Sequence, residues 1–134
     1  MMRGMAFLLL VLTLALTACS GGGSPPSGGS PPSGGGGNAD RGKTLFTEKQ
    51  CITCHTLASV PGANGTIGPP LNGIATTAGT RKPGVAADAY IRESIKDPNA
   101  FVVPGYPSPS LMVLPVPVND AEIGDLVAFL MAQK

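Results

Sequence analysis

The chain has 134 residues, 9 Lys and Arg against 8 Asp and Glu, a formal charge of +1, and 19 Gly and 14 Pro with only 13% charged residues and no Trp. That length holds one domain of about 100 residues, which excludes multi-domain enzymes. A near-neutral chain with no run of Lys or Arg also lacks the basic stripe of a nucleic-acid binder. With one His and three Cys, any metal or redox chemistry has few ligands to draw on.

The average hides three unlike parts: hydrophobic residues number 15 in residues 1–19, none in 20–38 and 42 in 39–134. After Arg3 the first part runs uncharged and apolar through Phe7, Leu8, Leu9, Leu10, Val11 and Leu12 to Cys19. This is the pattern of a secretory signal, too short for the roughly 20 apolar residues that span a bilayer. Its end, Leu16-Thr17-Ala18-Cys19, resembles the lipobox of bacterial lipoproteins. That resemblance implies a leader over residues 1–18 and a lipidated Cys19, whose several acyl chains anchor stably where one chain is marginal. Residues 20–38 contain nine Gly, five Ser, four Pro and Asn38, with Ser-Pro-Pro-Ser-Gly-Gly repeated at 24 and 30. Nothing there repays the entropy of ordering, so the expectation for 19–38 is a disordered tether with a span of roughly 25 Å.

Residues 39–134 are the expected folded domain. A helix is expected from Ala39 to Gln50, with Leu45 and Phe46 inward. Another is expected from Asp88 to Lys96, stopping before Pro98 because the residue preceding a proline avoids the α region. The third is signalled most clearly. Asn119 followed by Glu122 forms a capping signal, and Ile123, Leu126, Val127, Leu130 and Met131 recur at i, i+3, i+4, i+7 and i+8, out to about Gln133. The Gly/Pro-rich stretches between show no strand alternation. The fold class is therefore all-α, with three to four helices and long loops.

Cys51-Ile52-Thr53-Cys54-His55 is a C-x-x-C-H motif, which reads as c-type haem attachment. Two thiols three residues apart reach the two vinyl groups of one porphyrin, and the next residue brings an imidazole to the iron. Three other readings of these residues stand beside it. A structural zinc site wants four ligands and would need carboxylates in addition. A thioredoxin-like pair wants a strand leading into it, and a disulfide between Cys51 and Cys54 leaves His55 without a role.

The domain resembles a class I monohaem cytochrome c. Gly42-Lys43-Thr44-Leu45-Phe46 is similar to that family's first helix, and Leu126-Val127-Ala128-Phe129-Leu130 to its last, with Phe129 at the position of an aromatic that packs on the first. Ile67-Gly68-Pro69-Pro70-Leu71 resembles the family's G-P-x-L segment, and Ser94 through Tyr106 to Met112 the stretch leading to its distal ligand. The wording is closest to the cytochrome c domain fused to subunit II of some haem-copper oxidases. The resemblance implies one haem c bound through Cys51 and Cys54, with His55 and Met112 as iron ligands. It also implies that the Pro69 carbonyl accepts the His55 N–H and that Leu71 lies against the ring. Met112 sits among prolines, with Val113 and Leu114 before Pro115 where the family's proline follows sooner. Met131, the other methionine outside the leader, falls on the apolar face of the last helix. Tyr90, Tyr106, Arg81, Lys82 and Arg92 are each able to bond a haem propionate, and nothing in the sequence chooses among them.

The function implied is one-electron transfer with no catalytic residues. The carrier would be monomeric, exported and lipid-anchored through Cys19, at the outer face of the cytoplasmic membrane or in the periplasm, with the outer membrane also open. It would pass electrons between respiratory complexes and on to a terminal oxidase. Rival readings are a fixed haem subunit of a dehydrogenase or oxidase, and a five-coordinate ligand-binding or peroxidase-type protein; a distal His is excluded for the latter because His55 is the single histidine.

Overall fold

Four α-helices and one short 3-10 turn account for the regular structure, in a computed structural model that describes residues 36–134. The leader, Cys19 and most of the tether lie outside the described residues. Helix α1, Ala39–Glu48, starts where the Asn38 side chain accepts the Arg41 N–H at 2.9 Å. The Asn38 N–H in turn donates to Asp125 at 2.7 Å, so Asn38, read from the sequence as tether, is part of the fold. Helix α1 ends two residues earlier than the periodicity suggests because Gln50 turns out of it at φ +61°. The remaining helices are α2, Ile74–Arg81, α3, Ala87–Lys96, and α4, Asp120–Met131. Among the described residues the one β feature is an isolated bridge between Thr56 and Asn64, and the chain is all-α as its sequence implies. Among these residues no helix is long and apolar enough to cross a membrane.

The first and last helices cross at close range. A Cβ on Gly42 would lie 2.0 Å from the Asp125 carbonyl oxygen and 2.7 Å from the Phe129 Cβ. The missing side chain lets the two backbones touch. Beside the crossing, the rings of Phe46 and Phe129 pack at 5.8 Å between centroids, tilted by 59°, a geometry that aromatic pairs favour. Arg41 pairs with Asp125 at 2.9 Å and Lys49 with Glu122 at 3.0 Å, tying the same two helices at their margins.

Helix α4 shows its expected cap in full. The Asn119 side chain accepts the Glu122 N–H at 3.0 Å and Glu122 accepts the Asn119 N–H at 3.0 Å. The Asn119 amide, and then Lys49, hold the Glu122 carboxyl below its ordinary range. Replacing Asn119 with Ala leaves an orphan helical N–H and is expected to cost about 1 kcal/mol. In a domain this small that lowers the thermal midpoint by about 4–8 °C, which a calorimetric comparison with the parent protein reads directly.

Candidate functional site

The turn after α1 brings the chemistry-bearing residues together. The Thr53 N–H donates to the Gln50 carbonyl at 3.1 Å and the Cys54 N–H to that of Cys51 at 3.2 Å, which winds Cys51–Thr53 into one turn of 3-10 helix. Cys51, Cys54 and His55 consequently all line one cleft. Its walls come from Phe46 of α1, Ile74 and Arg81 of α2, Tyr90, Ile91 and Ile95 of α3, Leu126 and Leu130 of α4, and Phe101, Met112 and Leu114 of the long loop between α3 and α4. The space amounts to about 1070 Å³, part of it open to solvent.

His55 is oriented by its neighbours. Its Nδ1–H donates to the Pro69 carbonyl at 2.8 Å, which leaves Nε2 as the unprotonated nitrogen. Burial lowers the imidazole pKa, opposed by the Pro69 carbonyl and assisted by the positive Arg81. The ring is therefore neutral at physiological pH, as a metal ligand must be. Gly68 explains the residue type before Pro69: a Cβ there would sit 2.5 Å from the His55 Cε1. The Gly68 N–H donates to the Cys54 carbonyl at 2.8 Å and that of Leu71 to Thr56 at 2.9 Å. These bonds pin the Gly68–Leu71 segment over the motif, with Pro69 and Leu71 on the cleft wall.

Cys51 and Cys54 are unpaired. Burial, followed by the neighbouring Cys54, pushes the Cys51 thiol up to about 11, against the lowering effect of its own backbone. Among the described residues no three His, Cys, Asp or Glu side chains gather as a metal site, so the zinc reading lacks its donors. The thioredoxin-like reading lacks its leading strand.

Met112 is half-buried and lines the cleft, whereas Met131 packs against the core outside it. The loop that presents Met112 is tied by side chains. Asn99 accepts the Ser110 N–H at 2.9 Å, the Ser110 hydroxyl accepts the Met112 N–H at 3.1 Å, and the Lys49 ammonium donates to the Pro117 carbonyl at 2.7 Å. Lys49 thus links the end of α1, the Met112 loop and the cap of α4, a role no sequence pattern marks.

Of the five side chains open as propionate partners, the fold puts Arg81, Tyr90 and Tyr106 on the cleft wall. Lys82 pairs with Glu93, and neither it nor Arg92 lines the cleft. The Arg81 guanidinium lies 5.9 Å from the centre of the buried Tyr90 ring, and Tyr90 packs edge-on against Phe101. Among the described residues Arg81 is the charged side chain of the cleft wall.

This donor set fits a covalently held haem. Apolar walls suit the ring, two free thiols suit its vinyl groups, and a neutral imidazole and a thioether suit the iron. A protein-family model described as Cytochrome c matches residues 39–134. No curated protein matches the chain.

Proposed function

The chain belongs to the cytochrome c family, and from that premise we propose that it is a lipid-anchored electron carrier that would hold haem c through Cys51 and Cys54, with His55 and Met112 as iron ligands. Membership implies haem binding and electron transfer, the typical role in this family being a non-catalytic electron carrier. The observation that carries the specific reading is the convergence of Cys51, Cys54, His55 and Met112 on one apolar cleft.

Bound haem supplies a one-electron Fe(III)/Fe(II) couple, whose potential His/Met ligation raises. The rest is done by the polypeptide. The Pro69 carbonyl holds His55 in one tautomer and raises its basicity. Leu71, Ile91, Ile95 and Leu126 exclude water, which keeps the surroundings apolar and the rearrangement on electron transfer small. Arg81 offsets the negative propionates. Asn99, Ser110 and Lys49 hold Met112's loop, so that the thioether is presented without a large ordering cost.

The lipobox-like Leu16-Thr17-Ala18-Cys19 and the Gly/Ser/Pro tether support anchoring of the domain through Cys19 at the outer face of a bacterial membrane. There confinement raises its effective concentration toward membrane-bound partners. Respiratory complexes are the partners, a terminal oxidase among them, on the likeness of the domain to the one fused to oxidase subunit II.

Met112→Ala tests the ligation. The ferric protein is expected to show the weak long-wavelength thioether-to-iron charge-transfer band. The variant should lose it, gain rapid cyanide and CO binding, and fall in midpoint potential. A variant that kept the band would remove Met112 from the iron and leave the family role standing.

A further inference from the structure

The loop that presents Met112 has two apolar faces where its fold needs one. From Ser110 to Val118 alternate residues turn inward and outward, and Met112, Leu114 and Val118 pack against the core. An extended segment with its other side in water ordinarily carries polar residues there. Here the outer side carries Leu111, 59% exposed, and Val113, 80% exposed. Across the cleft Ile67 is 54% exposed. Among the described residues these are the exposed large hydrophobic side chains, and none is remote from the cleft: Ile67 and Leu111 line it, and Val113 adjoins Met112. Hydrophobic side chains scattered singly need no explanation, but a cluster around one opening does.

Charge follows the same division. No Asp, Glu, Lys or Arg occurs in the 31 residues from Gln50 to Thr80, nor in the 22 residues from Pro98 to Asn119. These two segments supply Ile67, Leu111 and Val113. All eight positive and eight negative side chains of residues 39–134 fall outside them, and several are paired with one another, as Arg41 with Asp125, Lys49 with Glu122 and Lys96 with Asp120. The part of the rim that these two segments form is therefore apolar and without formal charge, while among the described residues Arg81 on α2 is the charged side chain of the cleft wall.

Resting on the electron-carrier reading, we infer that this rim is the docking face for a redox protein whose own contact surface is apolar and uncharged. A partner with a ring of charges around its redox centre would gain no complementary pairing here and would lose hydration on contact. Burial of Ile67, Leu111 and Val113 supplies the attraction instead, over the opening through which electrons reach the cleft. Encounter is not steered electrostatically, and its rate is accordingly insensitive to salt.

The test is electron self-exchange between ferrous and ferric copies of the full haem-loaded protein, in which each copy meets a face of the inferred chemistry. The rate is read from NMR line broadening in mixtures. Between about 0.01 M and about 1 M salt the screening length falls from about 30 Å to about 3 Å, and the parent rate is expected to change by less than about twofold, because the contact carries no charge to screen. In the Val113→Lys variant, outside the cleft wall, an ammonium group from each copy meets at the contact. Its exchange should be slower by about threefold or more at low salt and recover partly as salt rises, with visible spectra unchanged in both oxidation states. A parent rate that shifts tenfold with salt overturns the inference, as does a variant that matches the parent at both salt concentrations. A stable dimer in sedimentation would assign the rim to a second copy, and also overturns it. Failure of the electron-carrier reading is distinguishable, since then the parent protein itself lacks the thioether-to-iron band and binds cyanide and CO rapidly.

Discussion

Gly42→Ala is expected to cost at least about 3 kcal/mol, the upper end of what added volume costs in a packed interior. The added methyl would meet the Asp125 carbonyl oxygen at 2.0 Å. That neighbour is backbone and cannot turn aside, so α1 and α4 must separate and loosen Phe46 against Phe129. Against a total stability of about 5–15 kcal/mol for a typical domain, such a loss leaves a large unfolded fraction or a fold held only by its haem. Gly79→Ala provides the control. Its Cβ would meet nothing closer than Ala87 at 3.8 Å, inside α2, and the same change there should stabilise by about 0.5–1 kcal/mol through helix propensity. Denaturant midpoints of the two variants are expected to move in opposite directions.

The second large effect is expected from the polypeptide without haem, which should not fold cooperatively. Of the 17 buried apolar side chains among the described residues, eight, namely Phe46, Leu71, Ile74, Tyr90, Ile91, Ile95, Leu126 and Leu130, also form walls of the cleft. Nearly half of the core thus relies on a partner on its cleft side. Five aromatics in residues 39–134 are few for a domain near the lower size limit, and a bound porphyrin would provide the missing apolar mass. A Cys51→Ser/Cys54→Ser/His55→Ala chain made without haem should retain helical far-ultraviolet signal and lose near-ultraviolet signal and a sharp melt. A cooperative, native-like melt would show that α1, α3 and α4 suffice among themselves.

Much of this architecture was legible because its signals are local. Asn119 and Glu122 announce a capping box, and Ile123, Leu126, Val127 and Leu130 are all buried. The C-x-x-C-H spacing puts two thiols and an imidazole within one turn, and Cys51, Cys54 and His55 line one cleft as that spacing implies. Helix α2 was not legible. Ile74-Ala75-Thr76-Thr77-Ala78-Gly79-Thr80-Arg81 has two β-branched threonines in succession and an internal glycine, all poor helix formers, and buries only Ile74 and Ala78. Its first turn is held from outside instead, where Ala75 donates to the Gln133 carbonyl at 3.0 Å. The choice among Arg81, Lys82 and Arg92 was likewise beyond a sequence reading. It depends on which side of α2 and α3 faces the cleft and on the Lys82–Glu93 pair. The role of Lys49 spans 68 residues to Pro117, and its partner is a backbone carbonyl that carries no sequence signature.

The claim that Cys51 and Cys54 hold one haem covalently is tested most directly by intact mass under denaturing conditions. The protein is exported from a host able to attach haem c and then treated with a thiol-alkylating reagent. The mass should equal that of the processed chain plus one haem, with neither Cys51 nor Cys54 alkylated and with the haem retained through denaturation. A mass equal to the polypeptide alone, with both thiols alkylated, would contradict the account.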